Sequence, residues 1–271
     1  MKTLMIVLLL GISHAHAAFE RAAHGARGTA MGGVPIALAD NEWAAFVNPA
    51  ALRTINERTV ALFYAPRPFE LKELAFIAAA YVEPTSVGCF GVAASRFGFE
   101  LYRETRLAIS FAEEITSGLC LGVGVTHYAL SIADYGSASS LGVDVGMLMD
   151  VSDTFRWGVA ASNLNAATIG QAKEKLPQQF ATGVAFMPMT NATLTLSLSK
   201  DVRYPMEVRV GVEFVPVEAL ALRAGTSSDP STLNAGFGVR LAFASFDYAF
   251  SSHGELGMTH AFSVLLRLGA W

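Results

Sequence analysis

From about residue 58 onward the chain keeps returning to one pattern, a bulky apolar residue followed by a polar or small one. In MEVRVGVEF, Met206, Val208, Val210, Val212 and Phe214 fall on one side, and Glu207, Arg209, Gly211 and Glu213 on the other. LTLSLSK sets Leu194, Leu196 and Leu198 against Thr195 and Ser197 in the same way. Successive side chains of a strand point to opposite faces, so the pattern predicts strands with two dissimilar faces. Fourteen are expected, near 58–65, 72–82, 87–96, 104–113, 118–130, 138–150, 155–163, 177–186, 191–199, 206–215, 219–227, 231–242, 244–250 and 257–268.

Composition decides what kind of sheet these strands build. Apolar residues make up 52% of the 271 and charged residues only 15%, yet past the N-terminus no run is long enough for a membrane-spanning helix. The face between the bulky residues is mostly Gly, Ala, Ser and Thr with scattered charges. The exposed face of a β-sandwich would carry many more Lys and Glu, and hairpin succession leaves no Greek-key crossover. The pattern predicts an all-β transmembrane antiparallel up-and-down barrel of about 14 strands, bulky face to lipid. Short links at 83–86, 114–117, 151–154, 187–190, 215–218 and 242–244 should alternate with longer polar ones, the longest at 163–176. Short turns then face the periplasm.

The first residues give the route. MKTLMIVLLLGISHAHA has Lys2, an apolar core over 4–12 and the small-residue pattern Ala15-His16-Ala17. It predicts a secretory signal peptide at 1–17, too short to span a bilayer of ~30 Å, with no Cys after the cut to carry a lipid anchor. The expected organisation is therefore signal peptide 1–17, an N-terminal plug or hatch segment 18–56, and a transmembrane β-barrel 57–271. A net charge of -4 without basic clusters argues against nucleic acid as a partner.

On this register Arg106, Asp144, Asp150, Arg156, Glu207, Arg209, Glu213, Arg240, Asp247 and Arg267 point into the lumen, where opposite charges can pair across neighbouring strands. They read either as a network that stiffens the wall or as a selective constriction. Aromatic residues near strand ends, including Tyr64, Tyr81, Tyr128, Phe155, Trp157, Phe186, Phe214 and Phe250, are expected to form girdles at the membrane interfaces. Cys89 and Cys120, one strand apart on either side, are expected as free inward thiols, since about 10 Å between their backbones exceeds a disulfide's reach. There is no HExxH, paired-Cys motif or Gly-x-Ser-x-Gly elbow, so no catalytic residue, metal site or cofactor is expected. A surface lipolytic site using His127 or His260 is the distant alternative.

One stretch lacks alternation altogether: GARGTAMGGVPIALADNEWAAFVNPAAL, residues 25–52. Gly25, Arg27, Met31, Gly32, Gly33, Asp40, Asn48, Pro49 and Ala50 stand out in it. Small residues suit a chain threaded through a crowded lumen, with Asp40 and Glu42 expected to meet inward arginines such as Arg209 or Arg240.

The order Gly25-Ala26-Arg27, Met31-Gly32-Gly33, Ala37-Leu38-Ala39-Asp40 and Asn48-Pro49-Ala50 resembles the N-terminal segment of the FadL-like outer-membrane proteins, most nearly the PorV/PorQ branch. Residues 256–269 resemble that branch's closing strand, and the two ends cover about a sixth of the chain. The resemblance implies a fourteen-stranded barrel with the segment folded into its lumen, in the outer membrane of a Gram-negative bacterium. It implies either a plugged channel for hydrophobic small molecules or a non-conducting accessory barrel of a protein secretion system (PorV-like, type IX). The bilayer, the barrel-assembly machinery, hydrophobic small molecules and secretion-system proteins are the partners it implies. The chain is short for either branch, and Trp271 lies one residue out of step with lipid-facing Phe262, Val264, Leu266 and Leu268.

Overall fold

The computed structural model describes residues 18–19, 25–33, 35–38 and 41–269. The expected leader at 1–17, Asp40 and Trp271 lie outside them. Fourteen antiparallel strands close into one barrel: β1 (Thr59–Ala65), β2 (Phe76–Thr85), β3 (Gly88–Gly98), β4 (Tyr102–Thr116), β5 (Leu119–Ile132), β6 (Gly136–Ser152), β7 (Phe155–Ser162), β10 (Gln179–Met189), β11 (Ala192–Asp201), β12 (Met206–Val217), β13 (Leu220–Ser228), β14 (Ser231–Arg240), β15 (Ala244–His253) and β16 (Gly257–Arg267). A two-stranded hairpin, β8 (Thr168–Ile169) with β9 (Glu174–Lys175), sits in the loop between β7 and β10. β1 pairs with both β2 and β16, so the sheet has no free edge.

The period-two reading survives residue by residue. Leu62, Ile77, Ile109, Val123, Leu196, Val210, Leu222 and Phe246 are exposed on the outer face, while Ala61, Ala80, Ala93, Ala108, Ala185, Ala221 and Ala249 are buried on the inner one. In β12, Val210, Val212 and Phe214 look outward and Gly211 and Glu213 inward. A belt of bulky apolar side chains over a hydrogen-bonded, edgeless wall suits hydrocarbon and not water. The expected fourteen strands all occur, with ends shifted by a few residues.

Two expectations need correction. The connections at the end opposite the short turns are uneven: 66–75 and 163–178 are long, but 99–101, 133–135, 202–205, 229–230 and 254–256 are as short as the turns. Residues expected in the link at 131–137 continue the strands instead, Ser131 and Ile132 on β5 and Gly136 and Ser137 on β6. Tyr128 is no girdle residue, since it lies on the inner face of β5, buried, with its ring edge-on to Phe19 at 5.1 Å.

Inside the wall lies the N-terminal segment: α1 (Gly25–Ala30), α2 (Ala44–Val47) and a 3-10 turn over Pro49–Thr54. α1 packs on β13 to β16 and β1, and the 3-10 turn on β3 to β6, so the segment crosses the lumen from one side to the other. The two thiols mark the second contact: Cys89 and Cys120 are free and join the apolar cluster around Leu52. β4 separates their strands, putting the backbones about 10 Å apart. Non-reducing mass spectrometry of the native protein should find both thiols alkylatable after unfolding, and an 89–120 bridge would contradict this strand order.

Candidate functional site

The inner segment touches the wall through glycine. Inward-facing Gly122 and Gly146 lie under Ala50 and Asn48, Gly158 under Ile36, and Gly211 and Gly225 under Met31. A methyl group at any of these five would collide with the segment, in most cases with its backbone. Small wall residues are therefore the imprint of the segment, which explains an inner face poor in bulk. In return, Gly32, at φ +83, lies against the backbone of Thr226, and Gly33, at φ +121, lies under the Arg209 side chain. Those φ values belong to the left-handed region that glycine enters without strain.

Polar groups fix the fit. Asn48, fully buried, caps the 3-10 turn by accepting from Ala50 N at 3.2 Å, and its Nδ2 donates to Ile36 O at 2.9 Å and Met147 O at 3.1 Å. One side chain thus ties two parts of the segment to a wall carbonyl, and Pro49 begins the turn where a backbone N–H is dispensable. Gly25, at φ +66, leaves room for the Trp43 indole. Ala26 N donates to Ser263 Oγ at 2.8 Å on β16.

The strongest tie is ionic. Arg27 reaches from α1 to Glu213 on β12 as a bidentate pair, with Nε at 3.0 Å and Nη2 at 2.7 Å. Arg223 on β13 donates to Glu213 at 2.6 Å and to Asp247 on β15 at 2.5 Å. The second bond jumps over β14, which is possible because Gly238 has no side chain between Arg223 and Asp247. Bidentate guanidinium–carboxylate bonds in a dry interior are the strong kind, and each charge here has a partner. Arg240 approaches the same Glu213 at 3.9 Å.

The remaining inward charges take several forms. Asp150 and Arg156 pair across β6 and β7, whereas Glu207 and Arg209 pair along one strand, two residues apart on the same face. Asp144 accepts from Thr126 Oγ1 at 2.5 Å and Asn163 N at 2.9 Å, pinning the neck of the 163–178 loop. Arg106 lies between the Phe46 and Tyr128 rings, 4.9 and 5.4 Å from their centroids. Arg267 donates to Ser245 Oγ at 3.2 Å.

Of the segment acids expected to meet wall arginines, Asp40 lies outside the described residues and Glu42 lines the same cavity as Arg240; an ion pair between segment and wall runs the other way. The segment's Arg27 meets a wall acid, because α1 sits against β13 to β16 while Arg209 is held by Glu207. Arg223 and Glu104, both buried in the lumen, were not among the expected residues. Arg223 stands in ALALRAG, where alanines on the inner face blur the alternation, although Leu220 and Leu222 set its phase.

Glu42 is buried beside this network. Burial, the largest effect, raises its carboxyl above the ordinary range, with Asp247 adding to the rise and Arg27 opposing it. A cavity of about 340 Å³ opens below, between Arg27, Glu42 and Arg223 and the short-turn ends of β1, β14, β15 and β16. Higher up, Trp43, Phe63, Phe76 and Phe97 form an apolar aromatic cluster against β1 to β3. Among the described residues, no group of three or more His, Cys, Asp or Glu is arranged to hold a metal ion. His260 Nδ1 lies 2.7 Å from the Tyr248 hydroxyl on the outer face.

Neither a protein-family model nor a curated protein matches the sequence. Solved structures do match the fold. The P. putida toluene transporter TodX superposes with a TM-score of 0.72 at 13% identity, covering 92% of this chain and 99% of that one. The CymD monoaromatic hydrocarbon channel gives 0.68 at 12% identity over 91% and 98%, and a Pseudomonas aeruginosa FadL homologue 0.66 at 12% over 91% and 99%.

Two outcomes follow for stability, read by urea unfolding of the protein in lipid vesicles. Arg27→Ala should cost about 2 to 3 kcal/mol, less than stripping a buried carboxylate of every partner, because Arg223 still holds Glu213. A raised carboxyl stabilises the fold below the ordinary carboxylate range and loses that contribution as pH rises through it. Glu42→Gln should therefore be more stable than the parent at neutral pH and converge with it in acid.

Proposed function

We propose that this barrel sits in the outer membrane of a Gram-negative bacterium, exported by the leader at 1–17 and inserted by the barrel-assembly machinery, and that it is a plugged channel for hydrophobic small molecules. The observation that carries this reading is the division of the lumen. Aromatic and alanine surface lies against β1 to β4, a charged band lies at β12 to β16, and the N-terminal segment is wedged between them. The structures that share the fold include a toluene transporter and a monoaromatic hydrocarbon channel, which supports the substrate class.

The geometry suggests how such a channel would work. An apolar solute sheds water against the cluster of Trp43, Phe63, Phe76 and Phe97. Passage requires the segment to shift, and the shift has to break the Arg27–Glu213 pair while Arg223 keeps Glu213 neutralised. Arg27 is the latch in this account and Arg223 the fixed counter-charge. The wall glycines hold the segment in register until the latch opens.

A second reading has its own observation. The segment fills the lumen from wall to wall, backbone on glycine, which suits a non-conducting accessory barrel serving a protein secretion system of the PorV type. A surface enzyme has no comparable support.

Liposomes separate the two. The channel reading expects uptake of a monoaromatic hydrocarbon by the full-length protein, an increase with Arg27→Ala, and a large conductance once residues 18–56 are removed. If removing that segment opens no path, the channel reading fails and the accessory reading stands.

A further inference from the structure

We propose that the short-turn end of the lumen holds a subsite for a small organic acid anion, formed by Arg240 and Arg267 on either side of Ser245. The subsite concerns binding only and stands whether or not the barrel conducts.

The charges in this region divide into satisfied and unsatisfied sets. Asp247 is taken by Arg223 at 2.5 Å, and Glu213 accepts from both Arg27 and Arg223. Arg240 is left 3.9 Å from an already doubly bonded Glu213, with its side chain 36% exposed toward the cavity. The Arg267 side chain has one hydrogen bond among the described residues, to the neutral Ser245 hydroxyl, and no ion pair. The two arginines lie on β14 and β16 with β15 between them and are offset by two residues along the strands, so their backbones are about 12 Å apart, and both side chains line the same cavity, where an anion can lie between them.

Among the described residues, the acids nearby do not fill the space between them. Glu57 is exposed at the rim, and Glu42 is wholly buried on the side of Arg27, where burial holds back its ionisation. The lining is otherwise mixed: Ile55 and Leu265 give apolar walls, and Thr59 and Ser245 add hydroxyls. At about 340 Å³ the space lies at the lower end of the range for small-molecule sites of ~300–1,000 Å³. Guanidiniums match carboxylates through paired N–H donors, so the favoured occupant is a carboxylate with a compact apolar body. An ammonium ligand would meet two uncompensated positive charges.

Benzoate is a suitable probe, with benzyl alcohol as its uncharged counterpart and inorganic phosphate as an anion without the apolar body. Binding to the full-length protein in detergent is read by calorimetry. Benzoate should bind saturably, about tenfold tighter than benzyl alcohol, and more weakly as salt is raised. Arg240→Gln and Arg267→Gln should each weaken benzoate several-fold, and the double variant should reduce it to the level of benzyl alcohol. Arg267→Lys should recover part of the loss. Heat-modifiable gel mobility verifies that each variant has a folded barrel, and Ser139→Ala on β6, remote from the cavity, should bind as the parent does. Equal binding of benzoate and benzyl alcohol, or unchanged benzoate binding in a folded double variant, would overturn the subsite. Phosphate binding as tightly as benzoate would overturn its assignment to organic acids.

Discussion

A closed barrel offers its interior a fixed volume, and whatever fills that volume has to leave no buried charge or backbone group without a partner. The rest of this molecule follows from that constraint. The wall satisfies its own backbone by closing β1 onto β16, so its hydrogen bonds make no demand on lipid. The N-terminal segment has no such ladder. It meets the requirement with two short helices, a 3-10 turn, an asparagine that serves both itself and the wall, and an arginine clamped to Glu213.

Wall and segment are consequently one packing problem. Of the five inward glycines, four lie directly under segment backbone and Gly146 under the Asn48 side chain, while Gly238 leaves room for an ion pair to pass over it. The ionic network has a fixed part, Arg223 with Glu213 and Asp247, and a detachable part, Arg27. In the channel reading, that asymmetry would let the segment move without leaving Glu213 bare. It also leaves Arg240 and Arg267 beside a cavity with charge to spare.

Period-two alternation made the wall legible from sequence, because lipid tolerates only bulky apolar residues on the outside. MEVRVGVEF gave the inward positions of Glu207, Arg209 and Glu213 directly. The same rule hid Arg223, whose inward neighbours are an alanine and a glycine that look neither polar nor bulky. Tyr128 misled for the converse reason: an aromatic near a strand end resembles an interface anchor, although the outward Val123 and Val125 set a phase that turns its ring inward, toward Phe19 and Arg106. The segment was recognisable as different from wall, but its partners were not. Alternation sets which face a wall residue occupies, and a segment without alternation carries no register to say which strand it will meet. Arg27 was picked out by its motif, while its bond to Glu213 depends on where α1 docks.

The described residues between 25 and 56 are built into the wall as securely as the strands are. Hydrogen exchange of the intact protein in lipid tests it most directly, at the amides of Ala26, Ala44, Asn48, Ala51 and Ile55, each of which donates a hydrogen bond. Protection comparable to the amides of β12 and β13 is the expected result. Exchange at the rate of an unstructured peptide, with the wall still protected, would contradict it.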